Sequence, residues 1–161
     1  MLKKNQVVRF MVGKESFGVD IGSVQEIVTV PEITRVPDTP DFLEGIINLR
    51  GKIVSVIDLR KKLKFNGSGR DKKNRILVTE VDGKVVGLIV DEVSEVLRLN
   101  PDNIEPPPEI VSSVGVKYIT GVGKLEDKII LLLDLGKVLS TEETGRLAGQ
   151  ETVVNQVAGS Q

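Results

Sequence analysis

The sequence predicts an all-β protein, in which two similar five-stranded small β-barrels pack around a shared apolar core and short helices cap the barrels. Three observations lead to this fold class. The 161 residues include 25 valines and 14 isoleucines but two alanines, and branched side chains favour strands whereas alanine favours helices. Short apolar segments recur between turn signals such as Asp82-Gly83, which is typical of β-hairpins. Part of the chain is also repeated.

The repeat divides the chain into two copies. Residues 45–63 align without a gap with residues 121–139 at an offset of 76, with eight identities in nineteen positions. Residues 17–28 align with residues 86–97 at an offset of 69. The seven-residue difference between the offsets falls in proline-rich connections, where insertions are tolerated.

The repeat also sets the expected domain organisation. We expect a single domain over residues 1–143. Its first barrel repeat covers about residues 6–65, a linker covers 66–74, the second barrel repeat covers about 75–140, and a flexible tail covers 144–161. Because a barrel of about 60 residues is marginal alone, we expect the two barrels to pack side by side. An exchange of strands between the copies is left open by the sequence.

Five strands are predicted in each copy, in the same order. The predicted strands are residues 7–12, 16–21, 24–30, 46–49 and 53–57 in the first copy, and 75–81, 84–90, 93–99, 116–122 and 128–133 in the second. Each copy ends in a short helix, for which Asp58 or Asp134 supplies the N-terminal cap. The third strand carries apolar residues on both faces, which is typical of burial on both sides or of a surface for a partner.

The composition excludes several classes of activity. The chain has no cysteine and no histidine, so thiol catalysis, zinc–thiolate sites and imidazole acid–base chemistry are ruled out. No segment resembles a phosphate-binding loop, and no cofactor is expected. A hydrolase with a Ser–Lys pair or two carboxylates remains a formal alternative, which requires a buried lysine or perturbed carboxylates in a pocket. No apolar run approaches the length of about 18 residues that a membrane helix needs, so a soluble, cytoplasmic protein is expected.

Basic residues are concentrated in the stretch 60–75, which holds eight of them and a single acid, Asp71. One interpretation is a nucleic-acid-binding double barrel, and the other is a solvated linker between the repeats. The net charge of the whole chain is −1, which gives no general attraction for nucleic acid. Phe65 is the only aromatic residue of the stretch that could stack on a base, so the linker is favoured and no nucleic-acid partner is expected.

The two copies differ at one pair of equivalent charged positions. Glu26 corresponds to Glu95, whereas Arg50 corresponds to Glu126. A carboxylate and a guanidinium that could meet therefore occur at these positions in the first copy alone. A salt bridge that the fold itself requires is expected in both copies, so this pair indicates a surface specialised for a partner. The alternative is an incidental exposed pair that contributes less than about 1 kcal/mol.

Several segments resemble the CheW family of bacterial chemotaxis proteins. The most specific is GIINLRG at residues 45–51, and the resemblance extends from about residue 6 to residue 143. Ser55 stands where the family usually has proline. The other segments that resemble the family are residues 17–27, 33–37, 52–60, 86–91, 93–96 and 118–123.

The resemblance implies two intertwined five-stranded barrels and an adaptor without catalytic activity. Such an adaptor bridges the cytoplasmic tips of chemoreceptors and the histidine kinase CheA, whose regulatory domain has the same fold. It is cytoplasmic and is recruited to receptor arrays at the inner face of the membrane, which it meets only indirectly, through the receptors.

The resemblance also implies roles for individual residues. Residues tied to receptor binding are Val24, Glu26, Gly45 and Arg50, and Glu26 is expected to pair with Arg50. Gly87 and Val96 match positions that are implicated in coupling, while the residues that face the kinase are not assigned. A receptor tip is helical, so we expect it to lie in an apolar groove beside the third strand.

Overall fold

The computed structural model describes residues 5–65, 69–108 and 118–139. Strands account for nearly all of its regular structure, and in each copy one helix of a single turn follows the last strand. In the first copy these elements are β1 (Gln6–Val12), β2 (Glu15–Asp20), β3 (Val24–Thr29), β4 (Leu43–Leu49), β5 (Lys52–Asp58) and α1 (Leu59–Lys62). In the second copy they are β6 (Arg75–Val81), β7 (Lys84–Val90), β8 (Glu92–Arg98), β9 (Ile104–Glu105), β10 (Ile119–Leu125), β11 (Lys128–Leu133) and α2 (Leu135–Val138).

The strands form two sheets, and each sheet contains strands of both copies. Sheet A has the order β8-β1-β2-β11-β10-β9, and sheet B has the order β3-β6-β7-β5-β4. The first hairpin of each copy is thus inserted among the later strands of the other copy. Replacing each strand by its repeat equivalent converts the order of sheet B into the first five strands of sheet A. Strand exchange, which the sequence left open, is therefore built into the fold.

The sheets confirm the predicted all-β class with two similar units and short capping helices. Among the described residues, however, neither hydrogen-bonded ladder closes on itself, and each ends in two edge strands. In both sheets a parallel contact joins the copies, between β5 and β7 and between β11 and β2, while the other pairs are antiparallel. The units are thus curled open sheets rather than barrels closed by hydrogen bonds.

Buried apolar residues form three clusters, which explains why the two sheets hold together. The largest lies between the sheets and takes side chains from both, including Phe10 and Phe17 of sheet A and Leu77 and Leu88 of sheet B. Each sheet also encloses a smaller core of its own. The core inside sheet A contains Val7, Leu99, Ile130 and Leu132, and the core inside sheet B contains Ile47, Val54, Val56, Ile76, Val78 and Ile89.

Predicted and observed strands agree to within one to three residues at either end. The largest differences, of three residues, are in β4, which begins at Leu43 rather than at residue 46, and in β10, which ends at Leu125 rather than at residue 122. Strand β9 was not predicted, since it is a two-residue strand within a proline-rich connection. Residues 66–68 of the predicted linker, residues 116–117 of a predicted strand and the predicted tail at 144–161 lie outside the described residues.

Candidate functional site

The expected pair of Glu26 and Arg50 forms in the structure. Glu26 lies on β3 and Arg50 follows β4, and these two strands are the opposite edges of sheet B. A guanidinium nitrogen of Arg50 nevertheless donates a hydrogen bond to the Glu26 carboxylate and forms an ion pair with it. Sheet B is therefore curled so far that its two edges meet at this point.

The turn between β4 and β5 holds Arg50 at the tip of a hairpin. Leu49 pairs with Lys52, so the loop has two residues, Arg50 at a φ of 51° and Gly51 at a φ of 88°. Two positive φ values are what a type I′ turn requires. The Asn48 side-chain oxygen accepts a hydrogen bond from the Gly51 amide at 2.8 Å and fixes the turn. The arginine is thus presented from a rigid support, although 68% of its side chain is exposed.

The guanidinium of Arg50 interacts favourably with its partner. The hydrogen bond to Glu26, together with the negative charge of that carboxylate, raises the pKa of the Arg50 guanidinium. The carboxylate is also oriented, since its side chain is about two-thirds buried on β3. A paired guanidinium of this kind keeps further N–H groups available for carbonyl or carboxylate oxygens of a partner.

The connection between β3 and β4, residues 31–40, returns along the free edge of β4, and we call it the strap. Thr34 and Ile46 exchange two backbone hydrogen bonds, of 2.9 and 2.8 Å, which form its one β-bridge to β4, and at its end the Pro40 carbonyl accepts a hydrogen bond of 3.0 Å from the Leu43 amide. Gly45 lies directly beneath the strap with a φ of 148°. A Cβ atom at this position would overlap the Thr34 carbonyl oxygen and lie 2.9 Å from Cγ2 of Ile33. Glycine is therefore required for the strap to sit where it does.

We call the stretch of sheet B between these two contacts the slot. One end of the slot is the Glu26–Arg50 pair and the other is the Thr34–Ile46 bridge. Along the slot, β3 and β4 form no ladder with each other. Partly buried side chains that pack on the core of sheet B are contributed by β3, the residue after it, the strap and β4, namely Val28, Val30, Ile33 and Leu49. The slot is therefore bordered by apolar side chains, with an ion pair at one end and a backbone bridge at the other.

The structure brings three of the four expected receptor-binding residues to this slot. Glu26 and Arg50 form one end, and Gly45 lies under the other. Val24 lies at the start of β3 and packs against the core between the sheets. A bulge in the pairing of β3 with β6 separates Val24 from Glu26. Val24 therefore supports the strand that carries Glu26 rather than lining the slot.

The two residues tied to coupling lie elsewhere. Gly87 is buried in β7, at the centre of sheet B, where it pairs with Val56 and Val78. A Cβ atom on Gly87 would lie 2.8 Å from Cγ2 of Ile76, so a substitution there acts through the core. Val96 is on β8, the edge strand of sheet A, and half of its side chain is exposed.

The equivalent corner of sheet A has a different arrangement of charges. Glu95 is paired, but its partner is Arg9 of the neighbouring strand β1, at 2.9 Å. Arg9 occupies the position that corresponds to Val78 of sheet B. Glu126 stands at the hairpin tip with a φ of 55°, which reproduces the backbone of Arg50. The sequence comparison identified the first-copy pair correctly, and Arg9 escaped it because this arginine comes from a strand far away in sequence.

Half of the eight basic residues in the stretch 60–75 form ion pairs within the fold. Arg60 lies 3.4 Å from Asp91, and Arg70 contacts both Asp58 and Glu44, at 3.3 and 2.8 Å. Further ion pairs link Lys61 with Glu44 and Lys73 with Glu92. A network of alternating charges is a poor surface for phosphates, so nothing in these contacts supports a nucleic-acid interface.

Glu44 lies at the centre of this network, next to Gly45. Burial raises the pKa of Glu44, but the hydrogen bond from Lys61 and the charges of Arg70, Lys61 and Arg35 outweigh that effect, and the pKa is lowered from its usual value of 4.5. The contribution of Arg35 indicates that the strap, too, lies within the electrostatic range of this carboxylate. Glu44 therefore remains ionised at neutral pH and ties α1 to β4.

A buried lysine, which a Ser–Lys hydrolase would require, is present as Lys62. Its ammonium lies 4.1 Å from the ring centroid of Phe42 and 5.5 Å from that of Tyr118. This cation–π arrangement, on two aromatic residues that occupy equivalent positions in the copies, explains how a charged group is accommodated there. Among the described residues there is no cluster that could hold a metal ion, and no helix long and apolar enough to cross a membrane.

The structure also reveals exposed apolar residues, of which the sequence analysis singled out Val96 alone. The large apolar residues with the greatest exposure are Ile27, Ile53, Val96 and Ile129. They fall into two repeat-equivalent pairs, Ile27 with Val96 and Ile53 with Ile129. The signal that could have found them is the retention of an apolar residue at the equivalent position of both copies.

Comparisons with known proteins agree with the fold. The sequence profile of the CheW-like domain family matches residues 6–143. Chemotaxis protein CheW of Klebsiella aerogenes is 42% identical over 134 residues, which cover 83% of this chain and 81% of that protein. Chemotaxis protein CheW of Treponema pallidum is 31% identical over 147 residues, which cover 89% and 86%. The crystal structure of the scaffolding protein TtCheW from Thermoanaerobacter tengcongensis is similar with a TM-score of 0.79 and 40% identity, over 86% of this chain and 94% of that one.

Proposed function

Because this chain belongs to the CheW-like domain family, we propose that it is a non-catalytic adaptor of bacterial chemotaxis that couples the cytoplasmic tips of chemoreceptors to the histidine kinase CheA. The family supplies the adaptor role, and the relatives are named as chemotaxis and scaffolding proteins. The two partners and the recruitment of the chain to receptor arrays are our proposal. The slot in sheet B is the proposed receptor site.

The observation that carries the proposal is the Glu26–Arg50 pair across the edges of sheet B. A receptor tip is a helical hairpin in this proposal, and a helix binds through one apolar face flanked by polar groups. The slot offers partly buried side chains of Val28 and Leu49 for such a face. Arg50, oriented by Glu26, provides donors for polar groups at the edge of the same helix.

The proposal for the kinase rests on the duplicated fold. In this proposal the CheA regulatory domain shares the fold, so surfaces that recur in both copies are candidates for its contact. Ile53 and Ile129 are exposed at equivalent positions beside the two hairpin tips. We assign no further kinase-facing residues.

The experiment that tests the receptor site is the affinity of the Arg50→Ala variant for a chemoreceptor cytoplasmic-tip fragment. Arg50 is exposed and lies in a turn, so the variant is expected to fold, with an unchanged far-ultraviolet circular dichroism spectrum. We expect its affinity to fall by about tenfold or more, since it loses a charged donor at the contact. Lys52→Ala, which removes a positive charge from the same hairpin, is the matched control and should bind as the wild type does.

A second control uses the other sheet. Glu126→Gln changes the residue equivalent to Arg50 on the hairpin of sheet A and should leave receptor binding unchanged. Equal losses of affinity for Arg50→Ala and Glu126→Gln would mean that the receptor does not distinguish the sheets, and the proposed site in sheet B would be abandoned. A folded Arg50→Ala protein with wild-type affinity would have the same consequence.

A further inference from the structure

We infer that the strap, residues 31–40, is a detachable wall of the receptor site, and that Gly45 and Thr34 are positioning residues which hold this wall against β4. This inference rests on the proposed function, because it assigns the slot to a receptor. It differs from a contact role for Gly45, which lies beneath the strap and carries no side chain. Gly45 acts on binding through the strap.

The first argument is the steric requirement at Gly45. Any side chain there would overlap the Thr34 carbonyl oxygen and press on Ile33, and the φ of 148° is one that other residues rarely adopt. The contact between the strap and β4 would be lost first, since β4 itself is held along its length by β5. A substitution at Gly45 therefore displaces the strap while leaving the ladder of sheet B in place.

The second argument comes from sheet A, where the equivalent wall is fastened more firmly. Strand β9 forms two residue pairs with β10, and an ion pair between Lys124 and Glu105 adds to them. In sheet B one β-bridge, between Thr34 and Ile46, replaces the two residue pairs. Thr34 stands in the place of Glu105, so no ion pair forms at this position. Asn48, which corresponds to Lys124, uses its side chain inside its own turn instead. At these equivalent positions the strap is thus held by fewer contacts than β9.

The third argument is location. The strap contributes Ile33 to the apolar lining of the slot, and Val30 immediately precedes it. Its exposed Arg35 acts on Glu44 electrostatically, but the strap also carries Glu32 and Asp38, so its net charge is −1. A helix that lies in the slot is therefore flanked by Arg50 at one end and by the strap at the other. Release of the strap removes one wall and part of the apolar floor.

The test measures the position of the strap and the binding of the receptor tip in the same variants of the full chain. The Ile46 amide donates to the Thr34 carbonyl, so its hydrogen exchange, followed by NMR in the free protein, reports whether the strap is attached. Gly45→Ala displaces the strap from below. Thr34→Pro removes the Thr34 amide donor and releases the strap without a change in β4. The Leu88 amide in the sheet centre reports the integrity of the fold.

Two matched controls separate the strap from general destabilisation. Gly121→Ala changes the equivalent glycine of sheet A, where a Cβ atom would lie 3.3 Å from Cγ2 of Ile104 and 3.4 Å from the Glu105 carbonyl oxygen. Thr34→Ala keeps both backbone hydrogen bonds of the bridge. Gly121→Ala should retain wild-type affinity for the receptor tip and slow exchange at Ile46, whereas Thr34→Ala should retain slow exchange at Ile46.

We expect Gly45→Ala and Thr34→Pro to accelerate exchange of the Ile46 amide on the order of tenfold, and to weaken receptor-tip binding by a similar factor, with Leu88 still protected. Weakened binding of Gly45→Ala with unchanged exchange at Ile46 would overturn the inference, because Gly45 would then act by contact. So would a Thr34→Pro protein that releases the strap and binds normally. A wild-type protein that does not bind the receptor tip would overturn the proposed function itself, whatever the strap does.

Discussion

The strand exchange predicts that damage to the core of sheet A destabilises sheet B to the same extent. Ile130 is fully buried on β11, within the small core that it forms with Val7, Leu99 and Leu132. Replacing it by alanine removes three carbons from a filled interior, which costs about 2–5 kcal/mol. Because a domain of this size is stabilised by about 5–15 kcal/mol, the loss should be readily measured by denaturant unfolding.

The loss of stability should be the same in both sheets, because of the way in which the chain connects them. Sheet A contains β1 and β2, which lead directly into β3 of sheet B, and β8, which directly follows β7 of sheet B. Sheet A therefore cannot unfold without withdrawing the ends of strands that sheet B requires. Native-state hydrogen exchange of the Ile130→Ala protein should show equal losses of protection in β6 and β7 and in β1 and β2.

The matched control is Val54→Ala, since Val54 occupies the equivalent position in the core of sheet B. Each variant should unfold in a single transition, and circular dichroism and amide exchange should give the same midpoint for that variant. Protection that is lost in sheet A alone in the Ile130→Ala protein, with sheet B unaffected, would refute the reasoning, because the sheets would then be independent units.

Three further predictions concern charge and packing around the site. Glu44→Gln should lower the free energy of unfolding by about 1–2 kcal/mol at pH 7. The lowered pKa of Glu44 gives stability that is present above its unfolded value of 4.5 and is lost as the pH falls through the folded value. The stabilities of wild type and variant in urea titrations should therefore converge at acid pH. Gly87→Ala should destabilise by about 1–3 kcal/mol, because its Cβ atom meets a neighbour at 2.8 Å, and Gly18→Ala, where that distance is 3.1 Å, should cost less in the same thermal melts. Asp58→Ala should lower the free energy of unfolding by about 3 kcal/mol, because this buried carboxylate caps α1 and pairs with two arginines. Asp134→Ala removes a cap without such pairs among the described residues and should cost about 1 kcal/mol. Equal losses of stability would mean that the arginine pairs contribute nothing.

Local sequence signals predicted most of the secondary structure. Alternating branched residues between turn signals located ten strands, and the aspartate before each short helix was identified as its cap, as observed for Asp58 and Asp134. Pairing of strands could not be predicted in the same way. The strands of both copies are equally apolar, so nothing local states whether β2 lies beside β5 or beside β11. That choice depends on packing between distant segments.

The candidate site was predicted in part. Comparison of the copies singled out Glu26 and Arg50, and the structure joins them across two edge strands. The strap escaped prediction because a single backbone bridge at Thr34 leaves no pattern of side chains. The role of Gly45 depends on that bridge, since its steric requirement is visible only once the Thr34 carbonyl is in place. The pairing of Arg9 with Glu95 likewise required the exchanged strands.

The central claim, that one chain binds two partners through different surfaces, is tested most directly by an NMR titration of the labelled protein. A chemoreceptor cytoplasmic-tip fragment is added first and the CheA regulatory domain second. We predict that the receptor fragment shifts amides of β3, the strap and the turn at Arg50, and that the kinase domain shifts a separate set while the first set remains bound. Competition of the two partners for the same amides, or no shift with either, would contradict the account.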